Sequence, residues 1–240
     1  MSVFITGSSR GIGRALALHF AALGRDVAIN CSSNPAELDE VSKQVQTLGG
    51  RALPLFGDIS DYNLCKNFFE QIITNFGKID LLINNAAISH IGFFADMAES
   101  QWRRLLDVNL GGVLNCSHLA VPHMLARQKG RIINISSVWG QAGASCEAVY
   151  SMTKGGVNAF TKALAKELGG SGIMVNAIAC GVIDTNMNNF LDEQEKQALI
   201  EQIPLKRLGR PAEVAQAADY LARAEYITGQ IITLDGGFSS

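Results

Sequence analysis

Tyr150 and Lys154 stand four residues apart in the stretch "SCEAVYSMTK". In a helix, residues i and i+4 share a face, so a phenol and an ammonium would stand side by side. A tyrosine with an ordinary pKa near 10 is a reluctant acid, and a neighbouring ammonium lowers that value by favouring the phenolate. The spacing therefore predicts a general acid suited to ketone reduction. The run "ISS", ending at Ser137, closes a predicted strand one short loop earlier. It can bring the Ser137 hydroxyl opposite Tyr150, where it would polarise a substrate carbonyl. Glu147 lies one helical turn before Tyr150 and has two readings: a carboxylate that reads a cationic amine on the substrate, or a helix-end acid facing the dipole. Trp139 is either an apolar or cation–π wall beside that amine, or ordinary loop packing.

Such side chains need a scaffold, and the chain supplies a βαβα rhythm. "SVFIT", "DVAINC", "RALPLFGD" and "IDLLINNAA" alternate with longer amphipathic runs such as "GIGRALALHFAALG" and "YNLCKNFFEQIITNFG". Leu16, Phe20 and Leu23 recur at helical spacing, while strands such as "LLINN" are apolar throughout. Strands buried on both faces and covered by helices form a parallel sheet. The second half repeats the rhythm with "RIINISS", "YSMTKGGVNAFTKALAKELG", "IMVNAIA", a helix from about Pro211 and "QIITLDGG". The fold expected is α/β: one Rossmann-type doubly wound domain over residues 1–240, its parallel sheet flanked by helices on both faces. Residues 180–209 read as irregular. The polar stretch 184–205 within them interrupts the alternation and is expected to be a substrate lid.

"TGSSRGIG" lies between the first strand and the first helix. Gly7, Gly11 and Gly13 allow a tight turn and close backbone approach, and the helix N-terminus that follows offers N–H groups to a pyrophosphate. The spacing is GxxxGxG rather than the common GxGxxG, but its place in an opening βα unit suits a dinucleotide site. The second strand ends "INCSSNP" without the carboxylate that would bond a free ribose hydroxyl and repel a 2′-phosphate. Arg10 can pair with that phosphate or be a solvated loop cation. NADP(H) is expected rather than NAD(H). Asp58 in "GDIS" and Asn84 in "NNAA" end predicted strands, where open parallel sheets bind their ligands.

Composition narrows the function class. The chain has 240 residues, 48% hydrophobic and 18% charged, with a formal net charge of -2. No basic stripe favours nucleic acid and no polybasic segment favours a membrane surface. Five scattered cysteines without a CxxC pair suggest neither a disulfide framework nor a metal site, and read as free thiols of a reducing compartment. A cytoplasmic protein acting on small molecules is expected.

"TGSSRGIG", "NNAA", "DVNL", "INISS", "YSMTK", "VNAIACGVIDT" and "YITGQIITLDGG", in this order, resemble the short-chain dehydrogenase/reductase superfamily along the whole chain. The resemblance implies catalytic roles for four residues. Ser137 would orient the carbonyl and Tyr150 transfer the proton. Lys154 would lower the tyrosine pKa and hold the nicotinamide ribose, and Asn109 would support a water relaying protons to Lys154. It further implies a cofactor groove. Gly7, Ser9, Arg10, Gly11, Ile12 and Gly13 would lie at the pyrophosphate, with Ser32 at the second strand's end. Asp58 and Ile59 would stand at the adenine end, Asn84 and Ala86 at the ribose, and Ile183 and Thr185 at the nicotinamide. Relatives are usually homotetramers through helices near 100–127 and 150–169. Ala87 stands where many relatives have glycine, and Cys180 where "PG" is usual, which gives up proline's fixed φ.

Within the superfamily the chain is most similar to 3-oxoacyl-acyl carrier protein reductases, which reduce a thioester-borne ketone with NADPH. Ser171 stands where such relatives often carry a cation for the acidic carrier protein, whereas Arg127 and Lys129 keep the other usual docking cations. "SSVWGQAGASCEAVY" resembles instead a subgroup that reduces a 5-aminopentanone group on a lysine of elongation factor P. A reading from another class is a non-catalytic dinucleotide-binding redox sensor. Ser137, Tyr150, Lys154 and Asn109, all kept, argue against it.

Overall fold

Apolar runs bounded by glycine, proline and short polar turns form a seven-stranded sheet in the computed structural model, which describes residues 1–188 and 192–239. The strands are β1 (Ser2–Ile5), β2 (Asp26–Cys31), β3 (Ala52–Phe56), β4 (Leu81–Asn84), β5 (Gly130–Ser137), β6 (Ile173–Cys180) and β7 (Ile231–Leu234). Their order is β3-β2-β1-β4-β5-β6-β7, and every pairing is parallel. The chain winds from β1 to one edge, returns to β4 and winds to the other. That reversal opens a crevice at the carboxyl ends of the strands, the usual ligand position of such sheets.

Alternation along the strands sends side chains to two separate cores. Val3, Ile5, Leu81 and Ile83 pack against α1 (Gly11–Ala22), α2 (Pro35–Thr47) and α9 (Pro211–Arg223). Phe4 and Leu82 face the opposite layer of α3 (Tyr62–Phe76), α5 (Gly112–Leu125) and α7 (Ala148–Leu168). Leu16 and Phe20, one helical turn apart, are the buried stripe of α1. Phe4 meets Phe69 edge-on at 5.5 Å between ring centroids, fixing α3 on the sheet. This is the single Rossmann-type domain that the alternation of strands and helices implied.

Three further helices shape the crevice. α4 (Glu99–Leu106) passes through a π-helical turn at Asp107–Gly111 directly into α5. Such turns interrupt regular helices most often at functional sites. α6 (Trp139–Ala142) fills the short loop between β5 and α7. α8 (Glu193–Gln202) corrects the expectation of an irregular stretch between 180 and 209. Asp192 accepts from the Glu195 amide and Glu195 from the Asp192 amide, a capping box that starts a helix where apolar periodicity is weak. Residues 189–191 of the expected lid lie outside the described residues.

Candidate active site

A cleft of about 610 Å³ follows the carboxyl ends of the strands. Gly7, Ser9, Arg10, Gly11, Ile12 and Gly13 form its wall between β1 and α1. Gly7 has φ 62 and its hypothetical Cβ would meet the Ala86 Cα at 2.8 Å. A Cβ on Gly13 would lie 2.1 Å from the Gly7 carbonyl oxygen, so any side chain there would close the cradle. With the N-terminal amides of α1 behind it, this wall fits a pyrophosphate. Arg10, exposed at the N-cap, has no ion-pair partner among the described residues and shares the cleft wall with Ser32. The residues present fit a dinucleotide, with no carboxylate at the end of β2 to oppose a 2′-phosphate.

Asp58 and Ile59 line the next section. The Asp58 carboxylate accepts from the Ser60 amide at 2.9 Å and its hydroxyl at 2.8 Å, and pairs with Arg104. Burial would raise its pKa, but the Ser60 donors and the Arg104 guanidinium outweigh it and hold the carboxyl below its ordinary value.

The reacting end lies where β5 and β6 stop. Ser137, Tyr150, Lys154 and Cys180 border the same part of the cleft. The Ser137 hydroxyl accepts from the Trp139 amide at 3.2 Å and interacts with the Tyr150 phenol. The Lys154 ammonium donates to the Ile135 carbonyl at 2.9 Å and stands 5.6 Å from the centre of the Tyr150 ring. Burial pushes Lys154 down to about 8, opposed only by the Cys180 thiol. Burial raises Tyr150 above its ordinary range, the Glu147 carboxylate and Cys180 add to that, and the Ser137 hydrogen bond opposes it. Desolvation wins because the phenol is only partly exposed while the ammonium lies over the ring.

The family described as short chain dehydrogenase matches residues 1–196. The chain belongs to the short-chain dehydrogenase family. It is 38% identical over 238 residues to the 3-oxoacyl-[acyl-carrier-protein] reductase FabG of Staphylococcus aureus, covering 98% of this chain and 97% of the relative. The Thermotoga maritima FabG is 40% identical over 235 residues, covering 97% and 95%. The crystal structure of a 3-oxoacyl-[acyl-carrier protein] reductase from Brucella melitensis superposes with a TM-score of 0.93 at 36% identity, covering 100% of this chain and 91% of that one. The protein is thus an oxidoreductase acting on ketone or alcohol groups.

Several side chains of this short-chain dehydrogenase stand where sequence spacing did not put them. Asn84 is a correction. As the last residue of β4 it follows the alternation of Leu82 and faces α5, donating to Ser117 Oγ at 3.1 Å and to Asn134 Oδ1 at 2.8 Å. Asn85 lines the cleft in its place and ties Gly7 down by donating to the Thr6 and Gly7 carbonyls, both at 2.9 Å. Ala86 stays on the wall, its amide donating to Thr6 Oγ1 at 3.0 Å. The Asn109 side chain is buried and spent on Ile88, accepting from its amide and donating to its carbonyl, both at 2.9 Å. It also donates to Thr153 Oγ1 at 3.2 Å, so it joins the π-turn, the Ala86–Ile88 segment and α7. Ile183 and Thr185 reach the cleft, and a Cβ on Gly11 would touch the Thr185 methyl at 3.3 Å.

Glu147 occupies the N-cap of α7 but makes no capping hydrogen bond. Its half-buried carboxylate accepts from the Trp139 indole, and burial outweighs that bond and raises its pKa. Trp139 packs edge-on against Phe238 at 5.6 Å, a partner that sequence spacing could not supply. Arg127 and Lys129 precede β5, whose eight residues carry them roughly 23 Å from Ser137. Arg127 there donates to Asp80 Oδ1 at 2.5 Å and to the Ile79 carbonyl at 2.9 Å, away from the cleft. Among the described residues no group of His, Cys, Asp or Glu could hold a metal ion, and no helix is long and apolar enough to cross a membrane.

Proposed function

We propose that the protein is an NADPH-dependent carbonyl reductase that converts a ketone to a secondary alcohol. The observation that carries this reading is the Ser137, Tyr150 and Lys154 cluster opening into a glycine-walled cleft at the sheet's reversal point. A nicotinamide held there by Lys154, Ile183 and Thr185 would supply the hydride for the reduction. The Ser137 hydroxyl, which accepts from Trp139, turns its one proton from the Tyr150 oxygen to the carbonyl oxygen when substrate is bound. Tyr150, held protonated by burial, gives its proton to the same oxygen as negative charge develops. Lys154, protonated below about pH 8, supports the tyrosine afterwards and holds the ribose. Asn109 acts through its backbone and the π-turn, because its side chain is committed to Ile88 and Thr153. Arg10 and Ser32 favour the 2′-phosphate of NADP(H).

A 3-oxoacyl thioester on an acyl carrier protein is the substrate that full-length similarity to the two FabG proteins supports. One observation favours a second reading, a 5-aminopentanone group on a lysine of elongation factor P. Among the described residues the cleft's cations are Arg10 and Arg104 toward the cofactor and Lys154 at the chemistry, while Glu147 faces the substrate space with the Trp139 indole. NADPH oxidation with a 3-oxoacyl thioester and an amine-bearing pentanone, on wild type and Glu147→Gln, separates them. Preference for the thioester unchanged by Glu147→Gln supports the first, and an aminoketone preference lost in that variant supports the second. Residues 184–205 act as the substrate lid, with α8 joined to the cleft loop by Lys196 and Asp184 at 4.0 Å. We infer a cytoplasmic homotetramer. Free thiols suit a reducing compartment, and exposed Leu114, Leu125 and Met152 give α5 and α7 an apolar face for another copy.

A further inference from the structure

We propose that Arg104 is a positioning residue for the adenine end of the cofactor, acting through Asp58. The inference rests on reading the cleft as a dinucleotide site. Arg104 is on α4, one helical turn before Val108 of the π-turn, and both border the cleft with Asp58 and Ile59. Its guanidinium pairs with Asp58 Oδ2 and donates to Ser60 Oγ at 3.0 Å. The other Asp58 oxygen accepts both Ser60 donors. A carboxylate has about four acceptor positions, so this arrangement leaves room for one more donor in a fixed direction. Without Arg104 the carboxylate could rotate about its last bond and lose that aim. The planar guanidinium, held on two partners, also gives the pocket a rigid rim that a lysine could not reproduce. Because α4 continues through the π-turn to Asn109, the ion pair ties the β3 end of the cleft to the segment that braces Ile88 and Thr153.

The test needs no turnover. Calorimetric titration with adenosine 2′,5′-bisphosphate, adenosine 5′-diphosphate and reduced nicotinamide mononucleotide is made on wild type, Arg104→Ala, Arg104→Lys, Asp58→Ala and Arg104→Ala/Asp58→Ala. Circular dichroism confirms folding of each, and Arg104→Lys, which keeps the charge and most of the stem, covers the case in which alanine fails to fold. The expected result is a loss of about fivefold or more in affinity for the adenine nucleotides in Arg104→Ala, with affinity for the mononucleotide unchanged. Arg104→Lys should recover only part of the loss, and the double variant should be no worse than Asp58→Ala. Affinity in both Arg104 variants within about twofold of wild type, or losses that multiply in the double variant, would overturn the inference. If Asp58→Ala binds adenine nucleotides normally while Arg104→Ala does not, Arg104 does not work through Asp58. If wild type binds none of the three probes, the dinucleotide reading fails and this inference with it.

Discussion

At the scale of single residues, desolvation keeps Tyr150 protonated, the state that the proposed proton donor needs. Replacing it by phenylalanine removes one hydroxyl and leaves the cofactor wall intact, so NADPH-dependent reduction should fall about 10²- to 10⁴-fold with dinucleotide affinity preserved. Steady-state kinetics beside a binding titration would show that split. In the proposed mechanism Lys154 sets the alkaline limit. With a value of about 8, it loses its proton as pH rises past that point, and kcat/KM for reduction should fall there. The sign for stability is opposite. Lys154 has a depressed value in the folded chain, so unfolding takes up a proton between about pH 8 and the ordinary lysine range, and its contribution to stability grows with pH. Melting temperatures of wild type should therefore gain on Lys154→Met across that window; a constant difference would contradict the buried ammonium. The tyrosine, the lysine and their four-residue spacing were legible in the sequence. The electrostatics were not, because burial of Tyr150 depends on β5, β6 and α7 meeting, which no local spacing records.

Elements decide where the remaining polar groups point. Gly13 is fixed by the approach of the Gly7 carbonyl, so Gly13→Ala should cost about 1–3 kcal/mol through overpacking and abolish dinucleotide binding. Thermal denaturation and calorimetry would check both. Asn84 and Asn85 show how a single step along a strand changes a role. Asn84 is inside β4 and obeys its alternation, whereas Asn85 lies just past it and turns to the cleft. Asn84→Ala should reduce stability by about 1–3 kcal/mol, because it strips a buried donor from Ser117 and Asn134, yet leave cofactor affinity nearly unchanged. Asn85→Ala should weaken cofactor binding more than stability. The "NNAA" motif marked the place but could not say which asparagine faced the cleft, since the last residue of a strand is read from hydrogen bonding rather than composition. α8 was missed for a different reason. Its Asp192 and Glu195 caps were visible, but none of its side chains is buried, so hydrophobic periodicity gave no signal.

For the whole molecule, the βαβα rhythm carried nearly all of the architecture, because strands apolar throughout can be covered only by helices on both faces. What it could not carry is distance between the ends of the sheet. Arg127 and Lys129 read as docking cations along the chain, while the fold sets them at the far end of β5 with Arg127 tied to Asp80. A carrier protein engaging those cations on this chain would dock at the opposite end of β5 from the cleft. The inferred tetramer predicts that Leu114→Glu or Met152→Glu dissociates the assembly in sedimentation velocity, and sedimentation of the wild type as a monomer would contradict it. The most direct measurement of the central claim is the rate of NADPH oxidation with a ketone substrate, followed by absorbance, in wild type and Tyr150→Phe. The account predicts steady oxidation by the wild type with stoichiometric alcohol, reduced at least about 10²-fold by the substitution. Equal rates in the two proteins would contradict it.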